Sequence, residues 1–335
     1  MILFKKNLKK NFLVVAEIGV NHEGSFSYAK KLIKLAAQTG VDAVKFQCYT
    51  PDRYVSSSEI DRHRRVKKFS LSKKQFKKLC LYAKKNKLGF FGTPITEDYV
   101  KFLAKISPVI KIASGDLNFE PLIKECVKTN KPIIISTGMA TVKEISTTLG
   151  WIKKYGGKNY LNKIILLQCV SAYPTPINNA NVLAMNYLKK KFHTLVGYSN
   201  HVIGSEACLA AVAHGASIIE IHFTDNKKNR KFHDHALSFE PKDMKEFIEC
   251  ANKIRSSLGK ISKTREDVEL KLLKVGRKGI VARKNLKKGT ILQNNNLMFA
   301  RPATHFSSQE IDKLIGKKIN VDVSKGAIIK KSFIQ

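Results

Sequence analysis

Carboxylates are scarce in this chain: 26 aspartates and glutamates stand against 61 lysines and arginines, a formal net charge of +35 over 335 residues. Such an excess attracts anions and polyanions. It does not make a nucleic-acid reader, because the lysines are spread along helical stretches such as Ser72-Lys-Lys-Gln-Phe-Lys-Lys78. A basic arm, a zinc finger and the aromatic pattern of single-strand binders are all missing, so no specific nucleic-acid partner is predicted. The six cysteines, Cys48, Cys80, Cys126, Cys169, Cys208 and Cys250, form no CxxC pair. That excludes a disulfide framework and a thiolate zinc cluster, and it suits small apolar side chains in a reducing compartment. No apolar run approaches a membrane span, and Met1-Ile-Leu-Phe-Lys-Lys lacks a signal core. The expectation is a cytoplasmic protein without a membrane partner.

With 43% apolar residues, the chain can bury a full core and holds one large domain plus a small one. Apolar runs predict strands at Phe12–Val20, Asp42–Tyr49, Gly89–Pro94, Val109–Ser114, Pro132–Thr137, Ile164–Val170, Thr194–Asn200 and Ser217–Thr224. Helical stretches follow each one: Ser25–Gln38, Ser72–Lys87, Thr96–Lys105, Phe119–Thr129, Val142–Tyr155, Asn181–Phe192, Ser205–His214 and Pro241–Leu258. Eight such units predict a (β/α)8 TIM barrel over residues 1–260 rather than a doubly wound open sheet. Beyond Gly276 short strands and glycine turns take over, with one helix expected at Ser308–Leu314. Two Lys-Gly turns, in Asn285–Leu297 and Asp322–Ile334, are each followed by an apolar pair and suggest a small, pseudo-duplicated β-rich domain over 276–335. The charged stretch 261–275 is the expected linker.

Polar residues mark the carboxyl ends of these strands, the rim where a barrel places its chemistry. His201 closes the seventh run and His222 falls in the eighth, with a crossover helix between them. A βαβ unit sets such strands side by side, so two imidazoles face one space, as a divalent metal requires. Glu17 interrupts Leu-Val-Val-Ala-Glu-Ile-Gly, where an unpaired carboxylate is costly to bury. Lys45 and Gln47, two apart, point to one face of the second strand. Thr93, Lys111, Ser114, Ser136 and Ser199 complete a set of ammoniums and hydroxyls suited to a doubly anionic ligand such as a phosphorylated carboxylate. Glu220, two before His222, shares its inward face and supports it. Asp234, in the rim run Phe232-His-Asp-His-Ala-Leu-Ser238, is a metal ligand, a proton carrier or part of a surface turn.

The chain resembles the sialic acid synthase family, the phosphoenolpyruvate-condensing synthases of N-acetylneuraminate and related nonulosonates. The stretches that carry the resemblance run from end to end: Ala16-Glu-Ile-Gly-Val-Asn-His-Glu-Gly24, Asp42-Ala-Val-Lys-Phe-Gln47, Lys111-Ile-Ala-Ser-Gly-Asp116, Ile135-Ser-Thr-Gly-Met139, Tyr173-Pro-Thr-Pro176, Gly197-Tyr-Ser-Asn-His201, Glu220-Ile-His-Phe-Thr224 and Asp234-His-Ala-Leu-Ser238. In the tail, Arg301-Pro302 and the Lys-Gly repeats resemble the antifreeze-like (SAF, β-clip) domain of these enzymes. The resemblance implies condensation of phosphoenolpyruvate with the open-chain aldehyde of an N-acylated hexosamine, usually N-acetylmannosamine, with release of phosphate. It implies a divalent metal on His201 and His222, typically manganese, with magnesium or cobalt as substitutes. Glu17 and Asp234 then contact the sugar or move protons, while Lys45, Gln47, Thr93, Lys111, Ser114, Ser136 and Ser199 hold phosphoenolpyruvate. Asp116 and Tyr173 contact substrate. A domain-swapped homodimer is also implied, with Arg301 reaching the acyl group of the sugar.

Four departures from the family pattern stand out. Those at Asp116 and in the tail bear on the sugar, that at Asn200 leaves the histidine ligand in place, and that before Asp234 bears on the role of Asp234. Asn200 replaces an aspartate, Asp116 shortens a glutamate, Arg301-Pro-Ala-Thr-His-Phe306 is bulkier than the usual Arg-Pro-Gly run, and Phe232-His-Asp replaces Gly-Pro-Asp. One methylene near an acyl group alters the fit of a substrate, so the 2,4-diacetamido sugars of the legionaminate and pseudaminate routes are alternatives. A Schiff-base aldolase using Lys45 or Lys111 is a second enzymatic reading. A basic scaffold that binds polyanions or glycans without catalysis is a third.

Overall fold

The computed structural model describes residues 1–335, apart from the side chain of Lys274. The chain divides into two compact units, Met1–Gly259 and Lys260–Gln335. In the first, eight parallel strands close into a barrel: β1 Leu13–Gly19, β2 Ala43–Cys48, β3 Gly89–Pro94, β4 Ile110–Ile112, β5 Ile133–Ser136, β6 Ile164–Gln168, β7 Leu195–Asn200 and β8 Ile218–His222. The predicted TIM barrel is therefore present. Nearly every strand residue is buried, as it must be in a parallel sheet covered on both faces. The outer core fills the space between strands and helices. Helix Lys73–Lys85 shows why the sequence folds this way: Phe76, Leu79, Cys80 and Ala83 form its buried stripe, and Ser72 with Gln75 closes its first turn in a capping box.

Inside the barrel the side chains change character with height. Toward the amino ends of the strands lie Leu13, Val15, Ala43, Phe91, Val109, Ile134 and Ile165. One inward step further along β1 and β2 come Glu17 and Lys45, which line a cavity. The period of two thus carries each inward row from an apolar floor to a charged rim.

A hairpin that no sequence period signals plugs the lower end. Ile2–Leu3 pairs antiparallel with Lys6–Asn7, and Leu3 and Leu8 are buried in the inner core. Burying each leucine stabilises the plug by about 1.5–3 kcal/mol. Its turn residues, Phe4 and Lys5, both adopt left-handed backbone, with φ of 46° and 67°.

Several helical segments depart from expectation, among them short helices at Pro51–Tyr54 and Asp234–Leu237. An additional one, Ile60–Phe69, stands between β2 and the capped helix. The segment predicted as Thr96–Lys105 splits into a 3-10 turn at Glu97–Tyr99 and a helix at Val100–Ile106. The helix predicted from Asn181 begins at Ala184, because Asn181 is itself left-handed.

In the second unit, β9 Gly279–Ala282 pairs antiparallel with β10 Leu297–Ala300 around a core of Ile280, Leu286, Leu292, Leu314, Ile319, Val323 and Ile329. The two Lys-Gly repeats face each other, since Leu286 and Val323 exchange both backbone hydrogen bonds at 2.8 Å. Gly289 and Gly326 hold their turns at φ of 89° and 82°, where a side chain would be strained. Within the stretch read as a linker, Leu270–Gly276 is helical. The helix expected at Ser308–Leu314 is a run of 3-10 turns, Ser308–Lys313.

Candidate active site

Strand register builds the centre of the rim. Glu17 stands opposite His222 on one side and Lys45 on the other, because β1 lies between β8 and β2. Lys45 Nζ is 3.0 Å from Glu17 and 3.4 Å from Glu220, and it donates to Thr93 Oγ1 at 3.1 Å. Lys111 Nζ donates to Ser136 Oγ at 2.6 Å and lies 3.8 Å from Glu220. Glu220 also accepts from Ser199 Oγ at 3.1 Å. Two ammoniums and two carboxylates therefore share one buried chamber, and each charge is matched, which is the condition for keeping it there.

Burial and pairing divide the four groups. Burial raises Glu17 above the ordinary carboxylate range, against the pull of Lys45. Burial also works against Glu220, but Lys111 and Lys45 outweigh it and hold that carboxyl at about 2. Lys111 is lowered by burial, with Glu220 opposing, whereas Lys45 is raised because Glu17 and Glu220 overcome the same effect. Glu17 is thus the more readily protonated carboxyl of the set, and Glu220 the one held ionised.

His201 and His222 meet as predicted, with ring centroids 5.6 Å apart. His201 donates from Nδ1 to the Val170 carbonyl at 2.6 Å, which leaves Nε2 as the basic nitrogen. Burial lowers His201 to about 4, so the ring is neutral at pH 7. Nδ1 of His222 is buried without a hydrogen-bond partner and lies 3.7 Å from Asp234. A neutral, oriented imidazole beside an orphaned ring nitrogen fits a divalent cation. Among the described residues no group of three or more histidine, cysteine or acidic side chains could hold a metal. A cation here would draw its remaining ligands from substrate and water.

A cavity of about 510 Å³ joins these residues: Glu17, Lys45, Gln47, Lys111, Ser114, Asp116, Ser136, Tyr173, Ser199, His201, Glu220 and His222 all line it. Asp116 is pushed up to about 6 by burial. Tyr173 stacks over His201 with centroids 4.2 Å apart. Thr93 is buried, accepts from Lys45 and lines no part of this cavity. Arg301 belongs to the second unit, where its Nε donates to the Gly276 carbonyl at 2.6 Å. Asp234 lines an adjoining cavity of about 280 Å³ that shares Gln47, Tyr54, Arg62, Tyr173 and His222 with the first.

The loop that carries Asp234 is clamped from below. Asp225 accepts from the Tyr28 hydroxyl, from Lys31 at 2.6 Å and from Arg230 at 2.9 Å. His235, fully buried, bridges Thr224 at 2.7 Å and Glu23 at 3.2 Å. The contacts to Tyr28, Lys31 and Glu23 have no sequence signature, because they join residues far apart in the chain. Arg53, Tyr54 and Arg62 also line the main cavity and come from the excursion after β2. The only available signal was the basic, amphipathic stretch Ile60–Phe69, which buries Val66 and Phe69.

An eight-stranded parallel barrel with this rim, followed by a small β unit, defines a (β/α)8 enzyme. Residues 32–263 match the model of the NeuB family, and residues 277–335 match that of the SAF domain. The chain belongs to the NeuB family. It is 37% identical over 336 residues to the N,N'-diacetyllegionaminic acid synthase of Campylobacter jejuni, covering 96% of this chain and 100% of that one. It is 31% identical over 342 residues to a pseudaminic acid synthase of the same species, covering 97% of each. Among solved structures it is similar to an N-acetylneuraminic acid synthetase from Leptospira borgpetersenii in complex with citrate, at 32% identity and a TM-score of 0.74 over 79% of this chain and 90% of that one.

Proposed function

We propose that the protein condenses phosphoenolpyruvate with the open-chain aldehyde of an N-acylated hexosamine, either N-acetylmannosamine or a 2,4-diacetamido sugar, and releases phosphate by C–O cleavage. The observation that carries this reading is the single chamber in which two buried lysines face two adjacent histidines. Lys45 and Lys111, with Ser114, Ser136 and Ser199, bind and orient the phosphate and carboxylate of phosphoenolpyruvate. His201 and His222 hold a divalent cation, manganese by family resemblance, and when bound it supplies Lewis-acid polarisation of the aldehyde. As C3 of phosphoenolpyruvate attacks the aldehyde carbon, Glu17 delivers a proton to the oxygen that becomes a hydroxyl. Water then adds at C2 and returns a proton to the Glu17 carboxylate. The C2–O bond to phosphate breaks as the new C2 hydroxyl becomes the ketone, its proton leaving with phosphate. Asp116, Tyr173 and Asp234 contact the sugar, and Gln47 and Glu220 fix the neighbouring groups.

The same reading includes a cytoplasmic, domain-swapped homodimer in which Arg301 meets the acyl group of the sugar. Its guanidinium offers the rigid fork of donors that an amide carbonyl accepts. Light scattering should give twice the chain mass, and Arg301→Ala should raise KM for the sugar while leaving the phosphoenolpyruvate KM in place.

The decisive experiment incubates the full chain with manganese and phosphoenolpyruvate and with each sugar in turn, following phosphate release and product mass. One sugar should give the adduct, and chelator should abolish it. No phosphate release with any sugar overturns the reading. Borohydride trapping of substrate on Lys45 or Lys111, indifferent to chelator, would establish a Schiff-base aldolase in its place.

A further inference from the structure

A second cavity, of about 560 Å³, opens at the amino end of the barrel, opposite the rim. Its walls are the loops that lead into β2 to β5 and the turn of the plugging hairpin. Five lysines line it: Lys5, Lys84, Lys87, Lys105 and Lys131. Lys131 is half-buried and the other four are exposed.

Two of these lysines have a local explanation. Lys84 and Lys105 end helices, where a cation complements the carbonyl end of the macrodipole. Two helix termini together supply only about one negative charge. The one carboxylate in the lining, Asp42, is already engaged by Lys6 at 2.7 Å and by the Val14 amide at 2.8 Å. None of the five lysines forms an ion pair among the described residues. The cavity therefore carries roughly four unopposed positive charges by this count.

Its floor is apolar, with Phe4, Leu88, Phe90 and Ile106. Phe4 reaches that place by way of the left-handed hairpin turn, a conformation that costs a residue with a side chain on the order of 1–2 kcal/mol. Gly89 admits the ring, because a Cβ there would strike it. Positive φ at both Phe4 and Lys5 is the geometry of a two-residue hairpin turn between Leu3 and Lys6, and it sets a half-buried aromatic ring and a lysine at the cavity mouth. The volume lies within the range of small-molecule sites and far exceeds what a single phosphate fills.

We propose that this cavity binds a nucleotide, with its phosphates among Lys5, Lys84, Lys87, Lys105 and Lys131 and its flat heteroaromatic ring on the floor beside Phe4. The site is separate from the rim chamber, and its test does not depend on any activity.

Calorimetric titration of the full chain with ADP, at about 0.15 M salt to screen long-range attraction, reads the proposal directly. ADP should bind saturably, one per chain, at least about tenfold tighter than pyrophosphate, because the ring adds apolar contact. The double variant Lys84→Glu/Lys105→Glu should weaken ADP binding at least about tenfold. The control Lys190→Glu/Lys191→Glu changes the net charge equally on an exposed helix outside the cavity and should alter binding less than about twofold. Lys5→Gly removes one ammonium while suiting the left-handed turn, so a loss of about threefold there arises without unfolding. Absence of saturable ADP binding, equal affinity for pyrophosphate, or equal weakening by the two charge-reversed variants each overturns the proposal.

Discussion

The two ends of this barrel handle the same residue type in opposite ways. At the carboxyl rim, Lys45 and Lys111 are buried and matched by Glu17 and Glu220, and β1, β2, β4, β5, β7 and β8 each contribute a lining residue. At the amino end, lysines stand exposed and unmatched around an apolar floor. Matched burial fixes geometry and tunes proton affinity, as the chemistry of a rim requires. Unmatched exposure fixes little but leaves charge free for a ligand. A net charge of +35 therefore says nothing about function until it is divided by position.

Substitutions at the rim should strike activity far harder than stability. Lys111→Met replaces a buried ammonium by an apolar chain of similar length, and kcat/KM should fall by at least about 100-fold. Its melting temperature should fall only modestly, because Glu220 loses Lys111 at 3.8 Å but keeps Lys45 at 3.4 Å. A variant equally inactive but strongly destabilised would erase the contrast between the two ends. His201→Ala should abolish the manganese-binding isotherm measured on wild type, with the circular dichroism spectrum unchanged; undiminished metal binding would remove the histidine from that role.

The base should respond in the reverse sense. Gly89→Val sets a branched side chain against the Phe4 ring, and overpacking of this kind costs about 1–3 kcal/mol. The melting temperature should fall by several degrees, while KM for both substrates stays near wild type. A shift in KM would show that the ends communicate.

The smallest expected effect is at Asp116, and it separates pH from geometry. Burial pushes its carboxyl up to about 6, from 3.8 in the unfolded chain. Between those values the folded state holds a proton that the unfolded state has lost, so this group costs stability as pH rises and the cost is complete above about 6. Asp116→Asn should raise the melting temperature at pH 7.5 by roughly 2–4 °C, and by nothing near pH 4. A gain that is the same at both pH values would locate the effect in packing.

Much of the rim was legible in the sequence because strand geometry reports itself. A polar residue that breaks an apolar run, as Glu17, Lys45 and Lys111 do, has its direction set by the period of two and its height by its place in the run. The same regularity made eight βα units countable. Two-residue strands have no period, so the hairpin at Ile2–Asn7 left no trace, and with it the whole lower cavity. Helix Ile60–Phe69 was hidden for a related reason, having two buried side chains in its last turn and charge elsewhere. Thr93 reads as a rim hydroxyl, and its hydroxyl accepts from Lys45. The clamp on Asp234 joins Tyr28 to Asp225 and Glu23 to His235 across the closed barrel, and only the fold brings those pairs together.

That closure has a consequence for how the protein comes into being. Glu17 lies on the first barrel strand made by the ribosome and His222 on the last, and they become neighbours only when β8 docks against β1. Nascent chains and fragments cut anywhere within the barrel lack that seam, whatever else they have folded. The rim chamber therefore cannot close until the eighth strand has been made.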